Sequence, residues 1–344
     1  MTSADARRVL EVSDLGVEFR SEQGPVHAVR GLGLHVDAGE TLAIVGESGS
    51  GKSVSSLALM RLVEQGGGRI TGGRMLLTRR DGQRIDLAQA TSAQMRRLRG
   101  ADLAMLFQEP MTSLNPVFTV GEQIAESIRL HQGLGYRAAL AEALRMLDLV
   151  RIPEARNVMT RHPHQLSGGM RQRVMIALAM ACDPTLLIAD EPTTALDVTI
   201  QAQILELMRR LQSETVMSIL FITHNLGVVA HHADDVVVLY AGRVVESAPV
   251  RPLFAAPAHP YTQGLLACLP GKARQPGQPR PKRLFAIRGQ VSSPLAPPPG
   301  CAFEPRCDQA IAACRSAMPE LLVNGPAREA RCIRVQPAAI SEAA

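Results

Sequence analysis

The chain has 344 residues and is 46% hydrophobic, which allows a large buried core and predicts one main domain with an appendage. A formal charge of +5, 3% aromatic residues and no Trp argue against nucleic acid as the main partner. No apolar stretch reaches the roughly 20 residues that span a bilayer, and residues 1–12 lack the apolar core of a signal peptide, so we expect a cytoplasmic chain.

The predicted elements begin with a small sheet. Residues 9–20 and 31–40 alternate apolar and polar side chains across Gly-rich turns, which is typical of half-buried antiparallel strands. In the middle of the chain, the helical spacing of Leu140, Leu144 and Leu147 predicts helices. Four apolar runs predict strands buried on both faces: 41–45, 103–107, 186–189 and 219–223.

The segment GESGSGKS follows the first of these buried strands and precedes a segment with helical periodicity, which is the context that a P-loop requires. Its glycines allow backbone N–H groups to surround phosphate oxygens, Lys52 reaches the β- and γ-phosphates, and Ser53 ligates magnesium. The alternative is an ordinary Gly-rich turn. The predicted ATP-binding residues are Gly46, Glu47, Ser48, Gly49, Ser50, Gly51, Lys52 and Ser53.

Polar residues also stand where the other buried strands end. Asp190 and Glu191 would direct one carboxylate toward magnesium and one toward an attacking water, while Gln108 and His224 follow two further strands. Taken singly, an exposed acidic pair or a satisfied histidine is the simpler interpretation. Ligands of open α/β sheets bind at the carboxyl ends of strands, so the shared position with Gly46 favours a site.

Ser167, Gly168 and Gly169 precede another segment with helical periodicity, and the N terminus of a helix suits an anion. A plain helix cap is the alternative. However, the P-loop, Gln108, LSGGM, LLIADEP, the segment 194–197 and His224 occur in the order found in the ATPase domains of ABC transporters, and the chain resembles that family. Its members pair head to tail, so that the P-loop of one subunit and the LSGGM of the other enclose each ATP.

The resemblance implies a role for each matching residue. Glu191 would polarise the attacking water, His224 would contact the γ-phosphate, and Gln108 would join Ser53 and Asp190 around magnesium. Asp197 would lie at the dimer seam. Phe19 is the candidate for stacking on adenine, with a place in the core as its alternative.

The resemblance also implies the architecture. We expect an α/β P-loop NTPase fold with a RecA-like core, an N-terminal antiparallel β subdomain and an inserted helical subdomain over about 109–165. Composition becomes Pro-rich and basic beyond residue 250, which predicts an ATPase domain over 1–252 and a small Cys-containing extension over 253–344. The basic linker at 272–283 is either a solvated connector or a contact for anionic lipid.

The segments 108–124, 201–208 and 259–270 resemble the peptide and nickel branch of ABC importers. This branch implies an ATPase on the cytoplasmic side of the inner membrane that powers import of di- or oligopeptides, with nickel or a glutathione-like peptide as the alternative cargo. The implied partners are a second ATPase subunit, identical or related, two membrane permease subunits and an external substrate-binding protein. Segment 108–130 is the predicted docking surface for the permeases.

Other classes of ABC ATPase fit less well. DNA-repair and chromosome-organising members carry long insertions, and the segment between Gln108 and Ser167 is too short for them. Translation-factor members usually have two ATPase domains, whereas this sequence has one P-loop and one LSGGM. A degenerate, inactive ATPase would have lost Glu191 or His224, and both are present.

Four of the six cysteines, Cys301, Cys307, Cys314 and Cys332, lie close together in the sequence, with five, six and seventeen residues between them. Cytosolic thiols normally stay reduced, and clusters of them tend to bind metal. The resemblance to peptide-importer extensions favours a [4Fe–4S] cluster, with zinc and free thiols as alternatives. Cys182 and Cys268 lie outside this spacing, and we assign them no chemistry.

Overall fold

The computed structural model describes residues 8–108, 113–194, 196–269 and 285–335. Within these ranges no helix is both long and apolar enough to cross a bilayer. The chain divides into two compact units. Of the described residues, the first unit contains those within 8–11, 35–41 and 76–221, and the second contains those within 12–34, 42–75 and 222–335. The basic linker at 272–283 lies outside the described residues.

The described strands, in chain order, are β1 (Arg8–Ser21), β2 (Gly24–Asp37), β3 (Thr41–Val45), β4 (Gly68–Thr78), β5 (Arg84–Asp86), β6 (Leu103–Leu106), β7 (Leu186–Asp190), β8 (Ser218–Thr223), β9 (Asp235–Tyr240), β10 (Arg243–Pro249), β11 (Leu322–Gly325) and β12 (Arg328–Ala330). The described α-helices are α1 (Lys52–Leu59), α2 (Ser92–Leu98), α3 (Val120–Gln132), α4 (Tyr136–Leu149), α5 (Ala155–Val158), α6 (Gly168–Met180), α7 (Val198–Thr215), α8 (Leu226–His232), α9 (Val250–Ala255) and α10 (Pro260–Ala267). Short 3₁₀ helices lie at Val63–Gly66, Pro163–Gln165, Glu304–Arg306 and Ala312–Arg315.

The first unit contains the buried parallel strands β6 and β7, with Leu103 opposite Leu186, and helices α2 to α7. Helix α3 begins at a capping box in which the Thr119 hydroxyl accepts a hydrogen bond from the Glu122 amide. Hydrogen bonds from Thr119 also lower the pKa of Glu122, and a carboxylate suits this end of a helix. Ile124 lies on the buried face of α3, as expected for an amphipathic helix that packs one apolar face against the core.

The second unit contains a sheet in the order β11-β12-β10-β9-β3. β3 and β9 are parallel, with Leu42 opposite Asp235, whereas β10 runs antiparallel to β9 with an irregularity between Val244 and Glu246. Strand β12 continues the sheet, with Glu246 opposite Ala330. The extension predicted at 253–344 therefore supplies two strands to the sheet that carries β3.

The core of the second unit joins β3 and β9 to the C-terminal residues. Tyr240 at the end of β9 and Tyr261 in α10 are almost completely buried, and Phe303 packs against both rings with centroids 5.3 Å away. The two tyrosine rings meet edge to face at 4.6 Å. Because these aromatic rings pack in one cluster, the C-terminal residues share a core with the strand that precedes the P-loop.

The predicted α/β fold with an antiparallel N-terminal sheet is confirmed, and the four predicted buried strands are β3, β6, β7 and β8. Strand β9 was not predicted, although VVVLY within it is a continuous apolar run. The helix predicted around Leu140, Leu144 and Leu147 is confirmed as α4, in which Leu147 is buried and Leu140 and Leu144 are half-buried. Ala139, Ala143 and Met146 of the same helix are also buried.

Candidate ATP site

The P-loop connects β3 to α1, and its backbone depends on glycine. Gly46, Gly49 and Gly51 have φ angles of 157°, 77° and 101°, which side chains rarely adopt. A Cβ atom at Gly46 would lie 2.3 Å from the Leu239 carbonyl oxygen, and one at Gly51 would lie 2.6 Å from the Ala28 carbonyl oxygen. These close approaches leave no room for larger residues, so the loop backbone is tightly held.

Lys52 begins α1, and its side chain folds back over the loop. The Nζ atom donates hydrogen bonds to the carbonyl oxygens of Gly46 at 2.7 Å and Glu47 at 2.9 Å. The Ser50 amide donates to the Glu47 carbonyl at 3.2 Å, and the Gly242 amide donates to the Ser50 carbonyl at 2.9 Å. The loop therefore surrounds the ammonium group that is predicted to meet phosphate.

In the first unit, Gln108 follows β6 and the acidic pair ends β7. Asp190 is the buried last residue of that strand, and Glu191 adopts the left-handed conformation with φ 47°. The Glu191 Oε2 atom accepts hydrogen bonds from Gln108 Nε2 at 3.2 Å and from the Thr194 hydroxyl at 2.9 Å. Backbone strain of this kind is concentrated at functional sites, and two donors hold this carboxylate in place.

The two remaining predicted elements of the first unit are helix starts. Ser167 caps α6 and accepts from the Met170 amide at 3.4 Å, while Asp197 caps α7 and accepts from the Ile200 amide at 3.0 Å. A Cβ atom at Gly169 would lie 3.0 Å from Ile200, so the two helix starts are neighbours. The structure thus places Ser167, Gly168 and Gly169 at a helix N terminus beside Asp197.

His224 and Phe19 belong to the second unit. His224 is exposed directly after β8, and Asn225 caps α8 by accepting from the amides of Gly227 and Val228. Phe19 is half-buried in β1, where its ring occupies the space that a Cβ atom at Gly68 would need, at 2.8 Å. Its role at adenine stays a prediction.

Four cysteines of the C-terminal segment line one small cavity of about 20 Å³, with His259, Phe303 and Ile333 among its other walls. The backbone also joins this segment, because the Cys301 amide donates to the Cys314 carbonyl at 2.8 Å. Burial is the main cause that raises the pKa of Cys301, and the proximity of the other three thiols raises it further. Nevertheless, within the described ranges no group of three or more His, Cys, Asp or Glu residues is placed to hold a metal ion.

Tyr261 and Arg306 contact the P-loop from the C-terminal side, and neither contact was predicted from the sequence. The Glu47 amide donates to the Tyr261 hydroxyl at 2.9 Å, and Arg306 donates two hydrogen bonds to the Glu47 carboxylate at 2.6 and 2.9 Å. The segment HPYTQGLLACLP contains Tyr261, but spacing does not reveal a contact across 214 residues.

Two family models match the chain. The model described as ABC transporter matches residues 29–194, and the model described as oligopeptide/dipeptide transporter, C-terminal region, matches residues 245–314. The second match covers α10 and three of the four clustered cysteines, which are Cys301, Cys307 and Cys314.

Similar proteins include the glutathione import ATP-binding protein GsiA of Pectobacterium atrosepticum, 67% identical over 80% of this chain and 44% of the relative. GsiA of Escherichia coli K12 is 58% identical over 86% of this chain and 47% of the relative. The chain therefore spans less than half the length of these curated relatives.

A dimeric post-hydrolysis structure of the ATP-binding cassette MJ0796 bound to ADP and Pi is similar with a TM-score of 0.61 and 25% identity, over 70% of this chain and 99% of that one. The cbiO1 structure from Clostridium perfringens has a TM-score of 0.59 over 73% of this chain and 92% of that one, also at 25% identity. The motifs, the fold and these matches agree, and the chain belongs to the ABC transporter family, with the C-terminal region that the oligopeptide/dipeptide transporter model describes.

Proposed function

We propose that this chain binds and hydrolyses ATP with magnesium and thereby powers an ABC importer of di- or oligopeptides. The observation that carries the proposal is the P-loop, in which left-handed glycines and the start of α1 surround the buried Lys52. The GsiA proteins are named for glutathione import, which favours a glutathione-like peptide as cargo. Nickel is the second candidate cargo, and only the resemblance to the peptide and nickel branch supports it.

We propose for each site residue the role that the family resemblance implies. Lys52 and the backbone amides of Gly46 to Ser53 bind the phosphates, while Ser53, Gln108 and Asp190 would hold magnesium, which would neutralise phosphate charge. Glu191 orients the attacking water and takes its proton, in a position set by Gln108 and Thr194. His224 contacts the γ-phosphate and Phe19 stacks on adenine.

We further propose that a second ATPase subunit completes each site. The amides at the start of α6, which Ser167 caps, would meet the γ-phosphate held by the partner's P-loop, with Asp197 at the seam. The dimeric state of the similar MJ0796 cassette supports this arrangement. ATP would then favour the closed dimer because it binds that state more tightly, and hydrolysis would release it.

The remaining proposed partners are two permease subunits and an external binding protein, with the chain bound peripherally to the cytoplasmic side of the inner membrane. In the docking segment 108–130, Val117 and Phe118 are 73% and 49% exposed, and exposed apolar side chains suit a protein partner. Residues 109–112 of this segment lie outside the described ranges.

The proposal is tested with Lys52→Ala. Loss of a charge-assisted hydrogen bond to phosphate is expected to weaken ATP binding about tenfold or more. Fluorescent-nucleotide titration of the full chain measures this, and Arg69→Ala is the control because Arg69 is an exposed basic residue paired with Glu18. Equal ATP affinity in Lys52→Ala and the unmodified chain would overturn the assignment of the P-loop.

For the cysteine cavity we propose a four-iron cluster held by Cys301, Cys307, Cys314 and Cys332. The donor set fits, since four thiols line one cavity, and thiolates hold such clusters. The cavity has roughly the volume that one water needs, so the thiols would have to move outward around a cluster.

Anaerobically purified chain is expected to contain about four iron and about four acid-labile sulfide atoms, and Cys314→Ser is expected to lose them. Cys182→Ser and Cys268→Ser are the controls, because these residues lie outside the cavity lining. Iron and sulfide assays check the result. Zinc, or no bound metal, would contradict the cluster.

A further inference from the structure

Glu47 in the P-loop connects Lys52 to the C-terminal segment. Its carbonyl oxygen accepts a hydrogen bond from Lys52 Nζ at 2.9 Å. Its amide donates to the Tyr261 hydroxyl at 2.9 Å, and its carboxylate accepts two hydrogen bonds from Arg306. The carbonyl, the amide and the carboxylate of Glu47 are therefore all held by hydrogen bonds. Tyr261 and Arg306, which hold the amide and the carboxylate, lie beyond the ATPase motifs.

The Arg306 side chain is buried and is held by a hydrogen bond and two aromatic rings in addition to Glu47. Its side chain is 5% exposed, and Nε donates to the Arg288 carbonyl oxygen at 2.8 Å. The guanidinium carbon lies 5.7 Å from the centre of the Tyr240 ring and 5.9 Å from that of Phe303. A bidentate pair of this kind is geometrically specific, because Lys cannot reproduce the two parallel bonds. Hydrogen bonding to Glu47 is the main cause that raises the pKa of Arg306.

Tyr261 is positioned by a second set of buried contacts. His259 Nδ1 accepts from the Tyr261 amide at 3.0 Å and caps α10. The Glu246 carboxylate accepts from the amides of Ala258 and His259 at 2.8 and 2.9 Å. These contacts fix the start of α10, and they thereby fix the Tyr261 hydroxyl that accepts the hydrogen bond from the Glu47 amide.

We propose that Arg306 and Tyr261 are positioning residues for ATP binding, which hold the P-loop in its binding conformation through Glu47. A Gly-rich loop loses much conformational freedom when it orders around phosphate. Contacts that order it beforehand lower this cost and so raise affinity for ATP. The inference rests on the proposed function, because it assumes that the P-loop binds ATP.

The test compares Arg306→Gln and Tyr261→Phe in the full chain by steady-state ATP hydrolysis. Loss of a hydrogen bond predicts that KM for ATP rises about fivefold for Tyr261→Phe and by more for Arg306→Gln, with kcat within about twofold. Tyr261→Phe keeps the ring and its packing, so it tests the idea even if Arg306→Gln folds poorly. Arg315→Gln is the control, because Arg315 lies in the same segment, is 78% exposed and pairs with Glu304.

A double variant distinguishes positioning through Glu47 from a general structural effect. If Arg306 acts through this carboxylate, adding Arg306→Gln to Glu47→Gln raises KM little further than Glu47→Gln alone. Unchanged KM in folded Tyr261→Phe and Arg306→Gln, or a fall confined to kcat, would overturn the inference. If the unmodified chain neither binds nor hydrolyses ATP, the proposed function itself is wrong. This outcome is distinct from an unchanged KM in the variants, which would overturn only the positioning role.

Discussion

Replacement of Glu191 by Gln is expected to reduce ATP hydrolysis by about 10²- to 10³-fold while ATP stays bound. Gln has nearly the same shape as Glu and can still contact Gln108 and Thr194, so the left-handed backbone at this position need not change. What it loses is the carboxylate that takes a proton from the attacking water. Because the γ-phosphate then persists, the closed dimer of ATPase subunits is expected to accumulate.

Two measurements check this expectation. Single-turnover hydrolysis reports the chemical step, and light scattering with saturating ATP reports the mass of the complex. Glu206→Gln serves as control, because Glu206 is an exposed residue of α7 that pairs with Arg209. Rapid hydrolysis by Glu191→Gln, or a complex that stays monomeric with saturating ATP, would count against the proposed mechanism.

Local patterns in the sequence predicted much of the fold. The runs that became β3, β7 and β8 are buried along their whole length, so each reads as an uninterrupted apolar segment. Ser167 likewise caps α6 at the helix start that the sequence indicated. These features depend on neighbours within a few residues, which is why a single sequence reveals them.

Long-range contacts were not predictable in this way. Glu47 and Arg306 are 259 residues apart, and neither has a local pattern that indicates the other. The geometry of Glu191 is similar, since its sequence neighbours do not reveal a φ of 47° or a bond from Gln108. For the cysteines, the spacing in the sequence predicted that the four thiols lie close together. It did not predict the shape of the cavity between them.

The second prediction with a large effect concerns Gly46→Ala, which is expected to reduce the free energy of unfolding by about 3 kcal/mol relative to Gly49→Ala. Both glycines have positive φ, so each alanine is strained, and only the surroundings differ. At Gly46 the new Cβ would meet the Leu239 carbonyl oxygen at 2.3 Å, whereas at Gly49 no atom lies within 4 Å.

The carbonyl of Leu239 belongs to β9, which pairs with β3, so it cannot retreat without disturbing the ladder from Leu42–Asp235 to Val45–Val238. Gly46→Ala therefore transmits a clash in the P-loop to the sheet, while Gly49→Ala retains a folded unit. Urea unfolding of both variants measures the difference, provided that the slope with denaturant is unchanged. Equal urea midpoints for the two variants would mean that the loop moves away from β9 to accommodate the new Cβ atom. The P-loop backbone would then not be held rigidly against β9, and this rigidity could not preorganise the phosphate site.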